Sequence, residues 1–171
     1  QEGREMKTLI LYYSKSGHTR DLAAAIHKVI GGDMSELKSQ RKYSSSYGMT
    51  ILQAGLDKFR GRIPETEPVS FNLNDYDVIF LGCPTWYFTM APAMQQFLSH
   101  ADLKGKHVFT FSTSGGSPKK TLEDLRMAVE KRGGTMEEQL QVSYKKENRM
   151  TTQREIDQWI RKAADRLEFL K

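Results

Sequence analysis

The chain alternates short apolar runs with longer stretches in which apolar residues return at helical spacing. The first run, residues 8–13, has no polar alternation, which is typical of a strand buried on both faces of a sheet. Across residues 22–30, Leu, Ile and Val recur every three or four positions, and Gly31-Gly32 predicts the end of a helix. This part of the chain therefore predicts one strand followed by one helix.

Four further strand and helix pairs follow the first. The predicted strands lie at residues 34–37, 77–82, 107–111 and 140–144. The predicted helices lie around residues 49–59, 94–98 and 122–129, and from about residue 151 onward. Such alternation predicts a parallel sheet covered by helices on both faces and joined by right-handed crossovers. We therefore expect an α/β fold with three α/β/α layers and a doubly wound, five-stranded parallel sheet.

Three polar loops each follow a predicted strand. They read "SKSGHTRD", "GCPTWYFTMAP" and "STSGGSPKK". Because the carboxyl ends of parallel strands meet at one edge, we expect the three loops to lie together, where doubly wound sheets bind ligands.

Length and composition limit the classes of protein. With 171 residues, of which 38% are hydrophobic, we expect a single domain at residues 6–171, preceded by a remnant of expression cloning at residues 1–5. No apolar run approaches the length of a membrane span, so no membrane partner is expected. Cys83 is the only cysteine, which excludes an internal disulfide and favours the cytoplasm. Because the chain does not begin with Met, a removed export signal stays an alternative.

Positive charge is concentrated in residues 38–62. That stretch holds six basic residues against one acid, Asp57, a net +5 that equals the net charge of the whole chain. Nucleic acid is an obvious partner for a basic patch, but the chain contains no recognised nucleic-acid motif. A basic segment beside a phosphate-containing ligand explains the charge equally well, and we expect no nucleic-acid partner.

The first polar loop has the composition of an anion site. Ser14 to Thr19 place hydroxyls and a glycine at a helix N-terminus, where unpaired N–H groups and the helix dipole favour a phosphate. An ordinary strand-to-helix turn, capped by Ser16 or Thr19, explains the same residues. On these residues alone, both interpretations stay open.

Metal and hydrolytic sites are not expected. His27, His100 and His107 have no cysteine or carboxylate at ligand spacing, so no metal ligand is assigned. There is no GxSxG elbow, and no catalytic residue is assigned. Cys83 before Pro84 is either a small buried hydrophobe, which we favour, or a reactive thiol.

Three motifs together resemble a known family. "YYSKSGHTRDLAAAI", "YDVIFLGCPTWYFTMAPAMQQFL" and "LKGKHVFTFSTSGGSP" have the order and approximate spacing of the cofactor loops of the flavodoxin-like family. The resemblance extends over nearly the whole chain from Met6. It implies strand order 2-1-3-4-5 and binding of flavin mononucleotide (FMN).

The resemblance also implies which residues contact the cofactor. The phosphate would be held by the first loop, namely Ser14, Ser16, Gly17, His18 and Thr19. The isoalloxazine ring would be lined on one side by Pro84, Thr85, Trp86 and Tyr87. The other side and the polar edge of the ring would be bordered by Ser112, Thr113, Ser114, Gly115 and Gly116. Aromatic stacking and close backbone approach at glycine suit a flat ring, independently of the family. Core packing is the alternative for Trp86 and Tyr87, although adjacent aromatic residues point in different directions.

Two departures from the family pattern affect the expected chemistry. Position 18 is His where flavodoxins commonly have Asn; it either hydrogen-bonds the phosphate, with a contribution from protonation, or points to solvent. Electron-carrying flavodoxins are typically acidic, whereas this chain is basic. Positive potential near the ring would stabilise the reduced, anionic flavin and raise its potential.

Two functions fit the resemblance. The first is an electron-transfer flavoprotein with a redox partner protein, which the one-domain length and short last strand favour. The second is an NAD(P)H-dependent reductase of quinones or similar acceptors, in which Arg41, Lys42, Arg60 and Arg62 would receive the dinucleotide phosphates. Whether the chain is an enzyme, and whether it is a monomer or a homodimer, stays open at this point.

Overall fold

Seven strands form one sheet, flanked by five helices, in a computed structural model that describes residues 5–39, 47–59 and 66–171. In chain order the strands are β1 (Thr8–Tyr12), β2 (Asp33–Glu36), β3 (Val78–Trp86), β4 (Thr89–Met90), β5 (His107–Ser114), β6 (Thr135–Lys145) and β7 (Asn148–Arg149). The helices are α1 (His18–Ile30), α2 (Tyr47–Phe59), α3 (Pro92–His100), α4 (Thr121–Lys131) and α5 (Gln153–Leu170), and a short 3₁₀ helix covers Leu73–Asp75.

The five long strands are parallel and follow the order β2-β1-β3-β5-β6. Counted among these five strands alone, the order is 2-1-3-4-5, which confirms the predicted topology and fold class. Two additions were not predicted: β4 pairs antiparallel with the end of β3, and β7 pairs antiparallel with the end of β6. Both additions lie at the carboxyl edge of the sheet, so they shape the surface where a ligand is expected.

Two apolar layers hold the helices on the sheet. Successive side chains of a strand point to opposite faces, so Leu9 and Leu11 belong to one layer while Ile10 and Tyr12 belong to the other. The first layer includes residues of α3 and α4, and the second includes residues of α1 and α5. Burial on both faces explains the uninterrupted apolar run that predicted β1.

Three predicted strands are too short. β3 continues through Trp86 and β5 through Ser114, because Pro84 still pairs with Thr113 across the two strands. β6 has 11 residues and begins at Thr135, so the expectation of a short last strand is wrong. Much of β6 is polar and only partly buried, which hid its first half from a search for apolar runs.

The stretch of positive charge lies only partly within the described residues. Arg41, Lys42, Arg60 and Arg62, the residues suggested for dinucleotide phosphates, lie outside them. Within residues 5–39, 47–59 and 66–171, no helix combines the length and the apolar character needed to cross a membrane.

Candidate functional site

A cleft of about 310 Å³ lies at the carboxyl ends of the central strands. Its size is at the lower end of the range for small-molecule sites. Loops after β1, β3, β5 and β6 converge on it. Among the described residues it is lined by Lys15, Ser16, His18, Pro84, Trp86, Thr113, Ser114, Gly115, Tyr144, Lys146 and Glu147.

The loop after β1 leaves the N-terminus of α1 open. Gly17 is the N-cap residue, with φ of 99°, and no side chain caps the helix, so neither Ser16 nor Thr19 has the capping role suggested as an alternative. The Gly17 N–H donates to Ser14 Oγ at 3.1 Å, and the first helical bond runs from the Asp21 N–H to the Gly17 carbonyl at 2.9 Å. The first-turn N–H groups therefore point to the cleft end of α1 without a side-chain cap, and Lys15, which also lines the cleft, adds a positive charge to the same loop. This arrangement attracts anions.

Thr19 has a structural role. Its side chain is 1% exposed, and its Oγ1 lies 2.8 Å from Thr113 Oγ1. This hydrogen bond ties the first turn of α1 to β5 and fixes the height of the helix end above the sheet. Thr19 does not itself line the cleft, in contrast to Thr113.

His18 stacks on an aromatic residue that the sequence analysis did not select. Its ring lies parallel to Tyr144, with centroids 3.8 Å apart and an interplanar angle of 3°. His18 Nε2 is also 3.5 Å from Glu147 Oε2. Instead of pointing freely into solvent, His18 thus joins the start of α1 to the end of β6 across the mouth of the cleft.

The adjacent aromatic residues after Pro84 take different positions. Trp86 is 2% exposed, packs edge-on against Tyr13 with ring centroids 5.4 Å apart, and contributes to one wall of the cleft. Tyr87 is 45% exposed and lies against Gly55 of α2, where an added Cβ would come within 2.9 Å of the ring. Tyr87 does not line the cleft.

Thr85 and Ser112 face away from the cleft. Thr85 Oγ1 lies 2.7 Å from Thr121 Oγ1 of α4 and 3.4 Å from Ser112 Oγ, which is fully buried. Because side chains alternate along a strand, the next residues, Trp86 and Thr113, reach the cleft instead. The predicted loops were correctly located, but alternate residues in them stabilise the packing of α4.

Hydrogen bonds fix the loop after β5. The Gly116 carbonyl accepts from Ser114 Oγ and from Ser143 Oγ, both at 2.8 Å. Gln141 Nε2 donates to Ser114 Oγ from the neighbouring strand β6. Ser114 and Gly115 line the cleft, whereas Gly116 lies behind them.

Four residues that line the cleft were not among those predicted to contact a cofactor. Lys15 was seen in the first loop but not assigned a contact. The end of β6 supplies Tyr144, and the turn between β6 and β7 supplies Lys146 and Glu147. A signal for the latter existed, because this turn follows a parallel strand and must share the edge with the other loops. Its residues, "YKKEN", contain no glycine or proline and matched no part of the resemblance.

Burial affects two titratable groups at the edge of the sheet. It raises the pKa of the Tyr144 hydroxyl. It also raises the pKa of the Cys83 thiol to about 12, so this fully buried side chain is an unreactive part of the core. No cluster of His, Cys, Asp or Glu suited to a metal ion occurs in the part of the chain that the structure describes.

The chain matches a known protein family over most of its length. The sequence profile of the family described as Flavodoxin matches residues 7–163.

Solved structures show similar folds. A flavoprotein from Lactobacillus acidophilus NCFM, solved in complex with FMN, is 28% identical, with a TM-score of 0.69; the match covers 80% of this chain and 93% of that one. A protein from Bacteroides eggerthii described as a candidate flavoprotein is 25% identical, with a TM-score of 0.73, and the match covers 94% and 99% of the two chains. A flavodoxin from the domain Archaea is 18% identical over 95% and 99% of the chains, with a TM-score of 0.57, a likeness of fold alone.

Proposed function

Since this chain belongs to the flavodoxin family, we propose that it binds FMN in the cleft and transfers electrons to or from a protein partner. The open N-terminus of α1 beside Lys15, at one end of a cleft with aromatic walls, is the observation that carries the proposal. The FMN complex of the Lactobacillus acidophilus flavoprotein supports it, because that protein matches 80% of this chain.

The residues present fit the phosphate of FMN. Gly17 allows the left-handed turn that exposes the first N–H groups of α1, and Ser16 adds a hydroxyl at the rim. Lys15 supplies a positive charge, and His18 can donate a hydrogen bond from the first position of the helix. A phosphate here would gain from charge-assisted hydrogen bonds and from the helix dipole.

The remaining walls fit a flat aromatic ring. Pro84 and Trp86 form one side of the cleft, and the stacked pair of His18 and Tyr144 forms another. The floor near Thr113, Ser114 and Gly115 offers a hydroxyl and backbone groups for the polar edge of a ring. Apolar walls with a few polar groups are typical of cofactor sites.

Bound FMN supplies the redox chemistry, because it accepts and releases electrons in one-electron and two-electron steps. The residues of the chain bind the cofactor, orient its ring and adjust its redox potential. Lys15 and Lys146 hold positive charge at the cleft, which favours the reduced, negatively charged state of a bound flavin. The buried wall formed by Trp86 limits the access of water.

The proposal is tested first by comparing FMN with riboflavin in calorimetric titrations. Riboflavin carries the same ring without the phosphate, so the α1 site predicts that FMN binds at least about tenfold more tightly, or about 1.4 kcal/mol. Equal affinities for FMN and riboflavin would support a site for the ring and contradict the phosphate site at α1. If neither ligand binds, the proposed function is wrong.

A second experiment separates a carrier from an NAD(P)H-dependent reductase. The protein is loaded with FMN under anaerobic conditions, NADPH or NADH is added, and the visible flavin absorption band is followed. For a carrier we expect no rapid bleaching by either nucleotide and full bleaching by dithionite. Rapid bleaching by NADPH or NADH would instead show direct hydride transfer to the flavin, and the protein would be a reductase.

A further inference from the structure

Two exposed aromatic residues lie in an unusual backbone conformation beside the cleft. Tyr87 and Phe88 have φ of 49° and 74°, in the left-handed region, and their side chains are 45% and 57% exposed. Their ring centroids are 5.2 Å apart. Left-handed backbone is costly for bulky residues, typically of order 1–3 kcal/mol each. Strained backbone that exposes aromatic rings in this way is typical of a functional site.

The surrounding structure holds this turn in place. The Lys120 N–H donates to the Phe88 carbonyl at 3.0 Å, and the Thr89 hydroxyl donates to Asp124 of α4. Trp86 and Thr89 pair across β3 and β4. Because these bonds fix the backbone of the turn, the two partly exposed rings form an apolar projection next to the Trp86 wall of the cleft, with the Tyr87 ring against Gly55 of α2.

Lysines surround the cleft and this projection. Lys15, Lys119, Lys120 and Lys146, here called the basic rim, are all exposed and lie on the loops after β1, β5 and β6. Within the described residues, none of the four has a carboxylate at ion-pair distance. The loops at residues 13–17, 87–91, 115–120 and 145–147 contain a single carboxylate, Glu147.

Acidic residues begin only on the first turn of α4. Glu123 and Asp124 follow the loop after β5, and Asp124 accepts the hydrogen bond from Thr89. The edge that faces the cleft therefore carries positive charge, and the compensating carboxylates lie on the flank of the helix.

We propose that Tyr87, Phe88 and the basic rim form the docking surface for an acidic electron-transfer protein. This inference rests on the proposed function and adds the chemistry of the partner. An apolar centre with a charged border is the usual anatomy of a protein interface. Charge complementarity requires carboxylates on the partner, and it accelerates the encounter most strongly at low salt. Docking here brings a partner next to the Trp86 wall of the cofactor cleft.

Binding is tested with two forms of one probe protein. Native cytochrome c is basic, and the same protein with succinylated lysines is acidic, so the pair differs in charge but shares the haem. In calorimetric titrations at low salt, the protein should bind the succinylated form at least about tenfold more tightly than the native form. The preference should collapse at about 0.5 M salt because the charges are screened. Equal affinity for both forms would overturn the proposal.

Variants locate the surface. Lys119→Glu combined with Lys120→Glu should remove the preference for the succinylated probe or invert it. The matched control, Lys28→Glu with Lys131→Glu, makes the same charge change in the last turns of α1 and α4, at the opposite edge of the sheet, and should leave the preference intact. If both pairs have the same effect, net charge alone explains binding and the docking surface is wrong.

The aromatic projection has its own test. Phe88→Asn keeps a residue that tolerates left-handed backbone and should weaken binding of the succinylated probe at least about threefold at every salt concentration. Phe169→Asn removes another exposed phenylalanine, 75% exposed on α5, and should have no effect. An unchanged affinity for the Phe88 variant would exclude the aromatic pair from the interface.

Electron transfer to the probes separates this inference from the proposed function. The bound flavin is first reduced with a limiting amount of dithionite. Each two-electron-reduced flavin then reduces two ferric haems to ferrous haems, returns to its oxidised state and releases its proton to water. Faster reduction of the succinylated probe supports the docking surface. Equal rates with a flavin that still transfers electrons would overturn the docking surface and leave the proposed function intact.

A labelled single-stranded oligonucleotide tests the alternative partner. If the oligonucleotide binds and the succinylated probe does not, the basic rim binds nucleic acid and the proposal is wrong.

Discussion

At the scale of single residues, the left-handed turn at Gly17 determines how α1 begins. Its φ of 99° is available to glycine at little cost, and an added Cβ would meet no atom within 4 Å, so conformation alone requires glycine there. The turn leaves the first N–H groups of α1 free of side-chain caps. The identity of one residue therefore controls both local stability and the anion site.

Gly17→Ala should destabilise the protein by about 1–2 kcal/mol, because the Cβ of alanine makes the left-handed backbone conformation unfavourable. This corresponds to a fall in Tm of about 2–8 °C for a chain of this size. Affinity for FMN should fall as well, since the exposed N–H groups shift. Thermal unfolding and FMN titration measure the two effects.

Gly115→Ala is the control for stability. An added Cβ at Gly115 also meets open space, but its backbone is not left-handed, so its Tm should stay within about 1–2 °C of the parent. Equal losses in the two variants would contradict the conformational argument.

Residue type and position in the chain predicted where the polar loops lie. They did not predict which residues of these loops face the cleft. Thr85 and Ser112 were assigned to the ring and instead pack towards α4, because the strands continue further than predicted and side chains alternate along them. Tyr144 was overlooked because its contact with His18 joins residues 126 positions apart in the sequence, at a centroid distance of 3.8 Å. Such contacts depend on strand register, which local patterns do not report.

At the scale of elements, the pairing of β3 with β5 places the Phe111 ring directly over Gly82. A Cβ added there would lie 1.9 Å from Cε2 of Phe111, a fully buried ring. Glycine is therefore required at this position by space rather than by conformation. The absence of a side chain at Gly82 lets the Phe111 ring lie over the backbone of β3.

Gly82→Ala should cost about 1–3 kcal/mol or more, because the Phe111 ring has to move within a packed core. Adding Phe111→Leu should recover part of this loss. In urea unfolding, the double variant should lose less stability than the sum of the single variants, by about 0.5–3 kcal/mol. Strict additivity would show that the two positions are not in steric contact.

A buried carboxylate joins three elements at the opposite edge of the sheet. Glu137 of β6 is 5% exposed; its oxygens accept hydrogen bonds from His107 Nδ1 of β5 at 2.7 Å and from Arg166 Nε of α5 at 2.8 Å. Burial alone would raise the pKa of Glu137, but the hydrogen bonds from Arg166 and His107 outweigh it and hold the pKa below its ordinary value.

Glu137→Gln should lose about 1–2 kcal/mol at neutral pH, a value reduced by the partial exposure of Arg166. Because the folded pKa is lowered, the carboxylate contributes stability above the unfolded value of about 4.3, and that contribution disappears as pH falls through the folded pKa. Urea unfolding between pH 7 and 3.5 should therefore show the parent and the variant converging in acid. Glu138→Gln, which breaks the exposed pair with Lys162, should cost less than about 1 kcal/mol.

The sequence predicted the number, type and order of the main elements because each buried strand is an apolar run and each helix has a periodic apolar face. β6 shows the limit of that rule. One of its polar residues, Gln139, makes tertiary hydrogen bonds: its amide donates to Thr110 Oγ1 at 3.0 Å and to the Leu122 carbonyl at 2.7 Å. These partners lie far away in the sequence, so its first half, from Thr135 onward, did not resemble a strand.

At the scale of the whole molecule, the excess of positive charge should affect the redox potential. The net charge is +5, and Lys15 and Lys146 lie at the cleft itself. Positive charge near a bound flavin favours its negatively charged reduced state and raises the potential. We therefore expect a higher potential for this protein than for acidic carriers, whose potentials are very low.

Lys15→Gln with Lys146→Gln should lower the midpoint potential of bound FMN. At about 0.5–1 kcal/mol for each partly exposed charge, the expected decrease is roughly 20–40 mV for the two-electron couple. Anaerobic titration against reference dyes measures it, and Lys131→Gln on α4 serves as a distant control. A very low potential in the parent protein, as in acidic carriers, would contradict the electrostatic argument.

The positions of the two tryptophans make the molecule its own optical probe. Trp86 lines the cleft, whereas Trp159 is 8% exposed and packs edge-on against Phe80 and Phe109 in the layer of α1 and α5. Trp159→Phe would leave an emitter at the cleft, where energy transfer to a bound flavin would quench its fluorescence. Trp86→Phe would leave an emitter inside the core, sensitive to loss of packing. Two single-tryptophan proteins could thus follow cofactor release and unfolding separately and show in which order they occur.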